Sequence, residues 1–318
     1  MHSPAQGARP VKLLLIDGHY YVYRSFFAIQ SLSNSRGEPT NAIYGFVKTV
    51  RKMIKDVQPD RAAVLWDEGL PKRRTDLQPE YKVNRAEMPE PMRPQLDFIR
   101  NIVPMMGLAS LGVPDTEADD LMACYTKAAC AAGDLVILAT NDKDLFQLVD
   151  GCVKVYSTNK SDLASPKDSH ALLGAEAVRA KWGVEPQQIG DVLALIGDTV
   201  DNIPGIPGFG PKTAVNLLTE FGSLDALLAD LSAVKNEKLR AKLIEARPQI
   251  EANREMVRLD CHLDLPLPME EMVIRPRYSE LIAALRGCEF KGLLAEVEAE
   301  AAAAGSAIAA GQSQGELF

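Results

Sequence analysis

Short continuous apolar runs alternate with amphipathic segments through the first half of the chain. Three runs have the composition of strands buried on both faces, and they lie at 12–16, 62–66 and 135–139. Apolar side chains recur in segments that predict helices over 41–57, 92–106 and 116–131. Strands that alternate with helices indicate βαβ units, so we predict an α/β fold with a mainly parallel sheet flanked by helices.

The pattern changes after residue 174, where strand signals fade and short helical segments separated by Gly and Pro dominate. We therefore expect an α/β core at 11–174, a small helical subdomain at 175–277 and a final helical segment at 278–300. Residues 1–10 are rich in small residues and Pro, and we predict that they are disordered. The Ala/Gly/Ser-rich composition of 301–313 predicts a flexible linker, so that 301–318 would form a flexible tail.

Nine carboxylates form five short clusters, most of which follow a predicted strand or open a predicted helix. They are Asp17, Asp67, Glu117 with Asp119 and Asp120, Asp142 with Asp144, and Asp198 with Asp201. The carboxyl ends of the strands in an open α/β sheet line one crevice, so folding should bring many of these acids together. Carboxylates that approach closely repel each other and are costly to desolvate unless cations bind them. Their hard oxygen atoms suit two Mg²⁺ ions, and two-metal sites serve phosphoryl transfer.

Each cluster also has a structural explanation when it is considered alone. A single Asp after a strand is often a helix cap or a turn former, and this explanation suits Asp67. Glu117 and Asp120 share one face near a helix N-terminus, where the helix dipole favours anions. Asp198 and Asp201 suit a solvated turn. The metal hypothesis therefore depends on the whole set, because five clusters of caps and turns would be unusual.

A glycine-rich segment precedes an amphipathic helix in the predicted helical subdomain. It contains Gly205, Gly208 and Gly210, followed by Pro211, Lys212 and Thr213. The glycines permit positive φ angles and close backbone approach, and the amides of a helix N-terminus bind phosphate. This is a helix-hairpin-helix pattern, which grips the DNA backbone without reading sequence; the alternative is a tight turn between helices with no ligand.

A basic segment at about 70–93 directly follows Asp67 and is long for a connection within a compact domain. Its cations are Lys72, Arg73, Arg74, Lys82, Arg85 and Arg93, interspersed with acidic residues. Because it follows a proposed metal ligand, we expect it to overhang the site and hold a single strand through its phosphates. The alternative is a solvated pair of surface helices.

The composition of the chain argues against several classes of protein. The chain has 318 residues, of which 47% are hydrophobic and 25% charged, as in a globular protein of one large or two smaller domains. No apolar run approaches about 18 residues and the first ten residues lack a signal region, so we predict a cytoplasmic protein without a membrane helix. The five Cys residues are scattered without a C-x-x-C pattern, which predicts reduced thiols, no zinc site and no disulfide. The formal net charge of −8 opposes a nucleic-acid ligand at first, but the nine carboxylates account for that excess.

Taken together, these motifs resemble the 5′-nuclease domain of bacterial DNA polymerase I, within the flap-endonuclease family. The matching residues are LIDGH at 15–19, YR at 23–24, RGEP at 36–39, YGF at 44–46, YK at 81–82 with Arg85, EADD at 117–120, TNDKDL at 140–145, GD at 197–198, DN at 201–202, the hairpin at 205–214 and FGSL at 221–224. They extend over about 11–295. The sequence departs from the family pattern at Trp66 and Arg73, neither of which is a proposed ligand.

The resemblance implies a PIN/resolvase-like nuclease core with a helix-hairpin-helix subdomain, and it implies two Mg²⁺ ions, with Mn²⁺ able to substitute. The first ion would be bound by Asp17, Asp67, Glu117 and Asp119, and the second by Asp142, Asp144, Asp198 and Asp201, with Asp120 close by. Lys82 and Arg85 would stabilise the scissile phosphate, as the catalytic cations.

The resemblance also implies contacts to DNA away from the metals. Arg24 and Arg74 would contact further phosphates, and the hairpin would grip duplex with K⁺ at its carbonyl groups. Tyr20 and Tyr21 suit either base stacking or core packing. The expected activity is that of a monomeric, structure-specific 5′ nuclease of the nucleoid, which removes 5′ flaps, 5′ ends and RNA primers in DNA replication and repair.

Three alternatives stay open at this point. The chain could be a DNA-junction binder without catalysis, or an excised N-terminal domain of a full DNA polymerase I; a small-molecule phosphatase is disfavoured by the hairpin and the basic segment. The ending QGELF at 314–318 resembles a peptide that binds the bacterial sliding clamp, and it favours a standalone nuclease. Its anchors would be Gln314, Leu317 and Phe318, unless the tail is inert.

Overall fold

The computed structural model describes residues 9–165 and 167–315. The disorder predicted for 1–10 and the clamp anchors Leu317 and Phe318 therefore lie mostly or wholly outside the described residues. Within the described ranges, no helix is both long enough and apolar enough to cross a bilayer.

Six strands and twelve α-helices make up the described fold. The strands are β1 (Lys12–Asp17), β2 (Arg61–Leu65), β3 (Ala109–Leu111), β4 (Leu135–Ala139), β5 (Val153–Ser157) and β6 (Ala171–Leu173). The helices are α1 (Gly18–Ala28), α2 (Asn41–Val57), α3 (Lys72–Leu77), α4 (Arg93–Met105), α5 (Ala118–Ala131), α6 (Ala175–Trp182), α7 (Ile189–Ile196), α8 (Pro211–Phe221), α9 (Leu224–Ala229), α10 (Glu237–Val257), α11 (Tyr278–Gly287) and α12 (Lys291–Gly315).

The strands form one sheet in the order β3-β2-β1-β4-β5-β6. β1 pairs with β4 and β4 pairs with β5 in parallel, whereas β6 is an antiparallel edge strand on β5. The side chains of Leu13 to Ile16 are at most 1% exposed, as expected for a strand covered on both faces. The prediction of an α/β fold with a mainly parallel sheet is confirmed.

The fold comprises two compact units, each made from separate stretches of the chain. The first unit contains the chain up to Asp17, residues 65–87 and residues 112–269. The second contains residues 18–64, residues 88–111 and the chain from 270 onward. Each unit is described by itself below.

In the second unit, α2 packs against α1 and α4 through an apolar face. Ile43, Phe46 and Val50 on this face are 5% exposed or less, which is the helical spacing that the sequence predicted. The start of α2 depends on Gln95, a side chain only 1% exposed, whose Oε1 accepts a hydrogen bond from the Ala42 amide at 2.8 Å. This buried contact satisfies an amide that the first turn of a helix leaves without a partner.

In the first unit, α7 packs against both α8 and α10. The chain turns sharply between α7 and α8, where a Cβ on Gly205 would lie 2.0 Å from the carbonyl oxygen of Ile196. Gly197 ends α7 with φ +73°. Only glycine permits this backbone contact without displacement, so the two glycines fix the turn that follows α7.

A disulfide corrects the prediction that all five thiols are reduced. Cys130, in the last turn of α5, bonds to Cys152, which directly precedes β5. Their Cα atoms are 6.0 Å apart although 22 positions separate them. The pairing depends on tertiary structure, because α5 returns the chain to the end of the sheet at which β4 and β5 begin. Cys124, Cys261 and Cys288 are free thiols.

The C-terminal region also differs from the prediction. The final helical segment at 278–300 is two helices, and α12 continues to Gly315 through the stretch that composition predicted to be a flexible linker. The physical reason is the run of Ala residues, since Ala has the highest intrinsic helix propensity. Gln314 lies near the end of this helix, and its side chain is outside the described part.

Candidate active site

All nine predicted carboxylates lie in the first unit, at the ends of helices and strands. Their positions are Asp17 as the last residue of β1, Asp67 two residues after β2, Glu117 as the N-cap of α5 with Asp119 and Asp120 in its first turn, Asp142 and Asp144 after β4, and Asp198 and Asp201 in the turn after α7. Most of the acidic residues therefore follow a strand or lie at the start of a helix, as the sequence predicted.

Thr140 connects two of the clusters across neighbouring strands. β1 and β4 end side by side, with Ile16 paired to Ala139. The Thr140 hydroxyl donates to Oδ2 of Asp17 at 3.0 Å, and it accepts from the Asp142 amide at 3.0 Å. Thr140 is 1% exposed and fixes the distance between two proposed ligands. The sequence signals for this role were its place directly after β4 and its position in the TNDKDL motif at 140–145.

Asp67 shows how a capping role and a site role coincide. Its Oδ1 accepts a hydrogen bond from the Ala118 amide at 2.8 Å, at the first turn of α5. The capping explanation that the sequence left open is thus observed. The same bond holds Asp67 beside the helix turn that carries Glu117 and Asp119, so capping also brings three proposed ligands together.

Four of the nine carboxylates form ion pairs with cations of the first unit, and we call them the paired carboxylates. They are Glu117, Asp120, Asp198 and Asp201. Arg74 contacts both Glu117 and Asp120, with its terminal nitrogens 2.7 and 2.8 Å from the Asp120 oxygens. Lys143, which the sequence analysis had not singled out, lies 2.6 Å from Asp198.

Arg74, a predicted phosphate contact, is 3% exposed and its guanidinium is surrounded by protein acceptors. Besides its two carboxylates it donates to the carbonyl oxygens of Met256 and Arg258, at 2.9 and 3.1 Å. Burial alone would lower the pKa of Arg74, but Asp120 and Glu117 raise it above its ordinary value. Arg74 is therefore a buried cation that joins two carboxylates, and its contact with phosphate stays a prediction.

Lys82 and Arg85, the two predicted catalytic cations, reach into the same cluster from the basic segment. Lys82 bonds to Glu117 and lies 3.8 Å from Asp201, while Arg85 lies 2.5 Å from Asp201. Burial would lower the pKa of Lys82, but Glu117 and Asp201 outweigh it and raise the pKa. Both side chains are therefore cationic at the carboxylates.

Tyr81 is a site residue that sequence reasoning used only as part of the YK motif. Its hydroxyl lies 3.2 Å from Oε1 of Glu117 and 3.3 Å from Oδ2 of Asp201. Burial, followed by the charges of Glu117 and Asp201, raises the pKa of Tyr81, which keeps the phenol protonated and donating. Its position before Lys82 was the available signal.

Three other carboxylates form no ion pair with any described residue, and we call them the cation-free carboxylates. They are Asp119, Asp142 and Asp144. Burial is the main cause that raises the pKa of Asp119, followed by the charges of Asp142, Asp17 and Asp67. Burial again, then Asp142 and Asp201, raises the pKa of Asp144. Lys82 lowers the pKa of Asp119 and Lys143 lowers that of Asp144, but neither offsets burial and the neighbouring carboxylates.

The donor set fits a divalent metal. Oδ1 of Asp144 is buried and has no hydrogen-bond partner, so a hard cation would satisfy an oxygen that the protein leaves without one. A divalent ion would also lower the raised pKa values of the cation-free carboxylates, since it favours the ionised form. Carboxylate oxygens are the ligands that Mg²⁺ prefers.

The glycine hairpin lies between α7 and α8, as the sequence predicted. Gly208 has φ +83°, and Gly210 is the N-cap of α8. The ammonium of Lys242 donates to the carbonyl oxygen of Pro207 at 2.9 Å and so supports the turn. Lys212 at the start of α8 is exposed and forms no ion pair among the described residues, while Thr213 is partly buried.

The remaining predicted contacts lie in the second unit. Arg24 donates to the Tyr20 hydroxyl at 2.9 Å, one helical turn away on α1. Tyr21 is 1% exposed, which agrees with the core-packing interpretation and not with stacking on a base. Its ring makes an edge contact with Tyr20 at 4.9 Å between centroids.

Two family models together match most of the chain. One, described as the 5′-3′ exonuclease N-terminal resolvase-like domain, matches residues 12–183, and the other, the 5′-3′ exonuclease C-terminal SAM fold, matches residues 184–280. The chain belongs to the 5′-3′ exonuclease family. The resemblance drawn from the motifs is confirmed, and as a family member the chain is a hydrolytic 5′ nuclease.

Relatives of this exonuclease family differ in length. A 5′-3′ exonuclease of Aquifex aeolicus is 38% identical over 90% of this chain and 95% of the relative. The thermostable DNA polymerase I of Thermus thermophilus is 39% identical over 90% of this chain, which spans only 33% of that relative.

Solved structures share the fold of this exonuclease family member. T5 5′-exonuclease with bound zinc has a TM-score of 0.65 at 22% identity, over 86% of this chain and 93% of that one. The catalytic core of Rad2 in complex with DNA has a TM-score of 0.58 at 18% identity, over 88% of this chain and 91% of that one. At these identities the likeness shows the fold alone.

Proposed function

We propose that this chain is a structure-specific 5′ nuclease that uses two Mg²⁺ ions, replaceable by Mn²⁺, to cut DNA at 5′ flaps and 5′ ends and to remove RNA primers. The observation that carries the proposal is the group of cation-free carboxylates, Asp119, Asp142 and Asp144, beside the buried Asp144 oxygen that lacks a partner. Two divalent ions, when bound, supply an activated water and stabilise the leaving 3′ oxygen.

The cations of the basic segment suit the substrate of that reaction. Lys82 and Arg85 lie at Glu117 and Asp201, so a phosphate bound at the carboxylates is within their reach. Fixed positive charges at this position stabilise the extra negative charge of the transition state. Tyr81 orients Glu117 and Asp201 through its hydroxyl.

A cleavage assay on labelled DNA tests the proposal. A duplex with a single-stranded 5′ flap should be cut near the junction in Mg²⁺ and left intact in EDTA. A 3′ flap of the same composition is the matched control and should be cut far more slowly. Tight flap binding without cleavage in Mg²⁺ or Mn²⁺ would instead identify a non-catalytic junction binder, the alternative that the sequence left open.

The hairpin between α7 and α8 is proposed to grip duplex DNA through its backbone amides, with K⁺ at its carbonyl groups. Exposure of Lys212 at the start of α8 supports this role. Lys212→Ala should weaken duplex binding and lower the slope of log K against log salt by about one unit. Lys127→Ala, an exposed lysine on α5, is the control. Equal slopes for the two variants would show that Lys212 of the hairpin does not contribute to DNA binding.

The tail at 314–318 is proposed to bind a bacterial sliding clamp through Gln314, Leu317 and Phe318, which would raise the local concentration of nuclease at primer junctions. Such a role fits DNA replication and repair by a cytoplasmic, monomeric enzyme. Calorimetry against a purified clamp should give micromolar binding that disappears on deletion of 314–318. Unchanged affinity after deletion would show that the tail is inert.

A further inference from the structure

Three potential metal ligands meet at the start of β5, at the end of the sheet opposite to the carboxylates that follow β4. The Sγ atoms of Cys130 and Cys152 and a carboxylate oxygen of Asp150 lie within 4.8 Å of one another. All three residues belong to the first unit. The sequence gave no sign of this group, because α5 and β4 separate the two cysteines and only the fold brings them together.

The contact between Asp150 and Cys152 lacks a donor in the disulfide form. Oδ1 of Asp150 lies 3.1 Å from Sγ of Cys152. A sulfur atom in a disulfide carries no hydrogen, so a carboxylate oxygen and a sulfur atom face each other with no proton between them. A cation bound to both atoms would supply the missing positive charge.

The Asp150 carboxylate is held by the backbone and not by a cation of the chain. Its Oδ1 accepts hydrogen bonds from the amides of Cys152 and Val153 at 2.8 and 3.0 Å, which forms the turn before β5. Its Oδ2 accepts no hydrogen bond and forms no ion pair with a described residue. The turn therefore explains the position of Oδ1 and leaves Oδ2 available to a ligand.

These distances suit zinc once the disulfide is reduced. Zn²⁺ binds thiolates at about 2.3 Å and carboxylates at about 2.0–2.2 Å in tetrahedral geometry, so that neighbouring ligand atoms lie roughly 3.3–3.8 Å apart. The Cα atoms of Cys130 and Cys152 are 6.0 Å apart, and rotation about each Cα–Cβ bond lets the freed sulfur atoms reach that spacing. Thiolates are soft ligands that select Zn²⁺, whereas carboxylates alone suit Mg²⁺. Each of the three residues is at least partly exposed, so an ion can reach them.

We propose that reduction of the disulfide between Cys130 and Cys152 creates a Zn²⁺ site whose ligands are these two thiolates, the Asp150 carboxylate and one water. A dithiol reductant transfers two electrons and two protons to the disulfide and is itself oxidised to a disulfide. Zn²⁺ then displaces the two thiol protons and binds both sulfur atoms as thiolates. This site is separate from the carboxylate cluster, and it does not depend on the proposed nuclease function.

The disulfide and the zinc site link the same two elements. Cys130 lies in the last turn of α5, whose first turn carries Asp119 and Asp120, and Cys152 directly precedes β5. Bound zinc would retain this link under reducing conditions, in which the disulfide is lost. One end of the helix that carries the proposed Mg²⁺ ligands is thereby fixed in both redox states.

Cobalt is the probe for this site, because Co²⁺ replaces Zn²⁺ in tetrahedral sites and thiolate ligands give it a charge-transfer absorption that carboxylate ligands do not. The full chain is reduced with a dithiol, freed of the reductant by anaerobic gel filtration and titrated with Co²⁺ in excess Mg²⁺. Reduced wild-type protein should bind one Co²⁺ with this absorption, and one equivalent of Zn²⁺ should abolish it. Oxidised wild-type protein and reduced Cys130→Ser should show no such absorption.

Two further variants test the ligand set. Asp150→Asn keeps an oxygen that accepts from the amides of the turn but removes the charge. It should weaken Co²⁺ binding by more than about tenfold, since even outer partners of a zinc site change affinity by 10–100-fold. Cys261→Ser is the matched control, because Cys261 is another partly exposed thiol of the first unit, and it should behave as wild type.

Melting temperature in excess Mg²⁺ separates metal binding from failure to fold. Zn²⁺ should raise the melting temperature of reduced wild-type protein by a few degrees and leave that of reduced Cys130→Ser unchanged. A lack of thiolate absorption in reduced wild-type protein would overturn the proposal, as would equal absorption in Cys130→Ser. Equal Co²⁺ affinity of Asp150→Asn and wild type would overturn the three-residue site. Neither measurement depends on nuclease activity, so a failure here is distinct from a failure of the proposed function.

Discussion

The carboxylate cluster contains two groups that are neutralised in different ways, and we call them the paired end and the cation-free end. At the paired end, the protein supplies the positive charge to Glu117, Asp120, Asp198 and Asp201, through Arg74, Lys82, Arg85 and Lys143. At the other end, the cation-free carboxylates have no ion pair with a described residue, and their pKa values are raised. Removing a buried cation from an ion pair should lower the free energy of unfolding. Removing a carboxylate from a repulsive cluster should raise it.

The difference indicates that the paired end and the cation-free end have different roles. The paired end is a fixed structural unit, since Arg74 is buried and also bonded to two backbone carbonyl oxygens. The cation-free end forms no ion pair with a described residue, and Lys82 and Lys143 offset its repulsion only in part, so a bound metal would relieve the rest. We therefore expect substitutions at the cation-free end to affect chemistry most and those at the paired end to affect stability.

The largest expected effect comes from the cation-free end. Asp119→Asn should lower single-turnover cleavage of a 5′ flap by more than about 10³-fold, because it removes a proposed metal ligand. Flap affinity in EDTA should be little changed. The control is Asp76→Asn, an equal charge change at an exposed position on α3. Cleavage by Asp119→Asn within about tenfold of wild type would contradict the metal assignment.

At the paired end, Arg74→Met should lower the free energy of unfolding by about 3–5 kcal/mol, because it leaves buried Asp120 without its cation and Glu117 with Lys82 alone. Urea denaturation measures the change. Arg73→Met is the control, since Arg73 is partly exposed and, among the described residues, donates only to the carbonyl oxygens of Glu255 and Arg258. A loss no larger than that of the control would show that the buried pair contributes little.

The contrast between the two ends could be predicted from the sequence only in part. All nine acids were identified because each belongs to a local motif at the end of a helix or strand. The helix at 41–57 was likewise predicted with its observed bounds, since its apolar spacing is local. The burial of Arg74 was not predictable, because Glu117 and Asp120 lie more than 40 positions away and approach it only in the folded protein.

The same reason explains the other differences. The bond between Cys130 and Cys152 forms at the end of the sheet at which β4 and β5 begin. The spacing of the Cys residues along the sequence does not predict it. Composition alone suggested a flexible linker before 314, whereas the intrinsic propensity of Ala extended α12. Local pattern therefore predicted the helices, strands and acids, while charge pairing required tertiary contacts.

A smaller effect should separate Lys82 from the structural cations of the paired end. Lys82→Ala should slow single-turnover cleavage by about 10²–10³-fold, as for removal of one electrostatic donor from an active site. Flap binding should weaken far less. Lys72→Ala, an exposed lysine on α3, is the control and should leave the rate unchanged. If both variants cleave at the wild-type rate, the role of Lys82 is limited to neutralising the charge of Glu117.

The smallest effect is a pH dependence of stability that belongs to the cation-free end alone. Folding raises the pKa of Asp119, Asp142 and Asp144 above the ordinary value of about 3.9, so the native protein holds more protons than the unfolded chain between the two values. Stability in EDTA should therefore fall as the pH rises through this window, since the unfolded state binds fewer protons. Asp144→Asn cannot ionise at that position and should show a shallower fall in melting temperature, by a few degrees. Mg²⁺ should remove the difference in slope, because a bound cation favours the ionised carboxylates in the native state. Parallel curves for wild type and Asp144→Asn in EDTA would mean that the cation-free end carries no net repulsion, and the comparison between the two ends would fail.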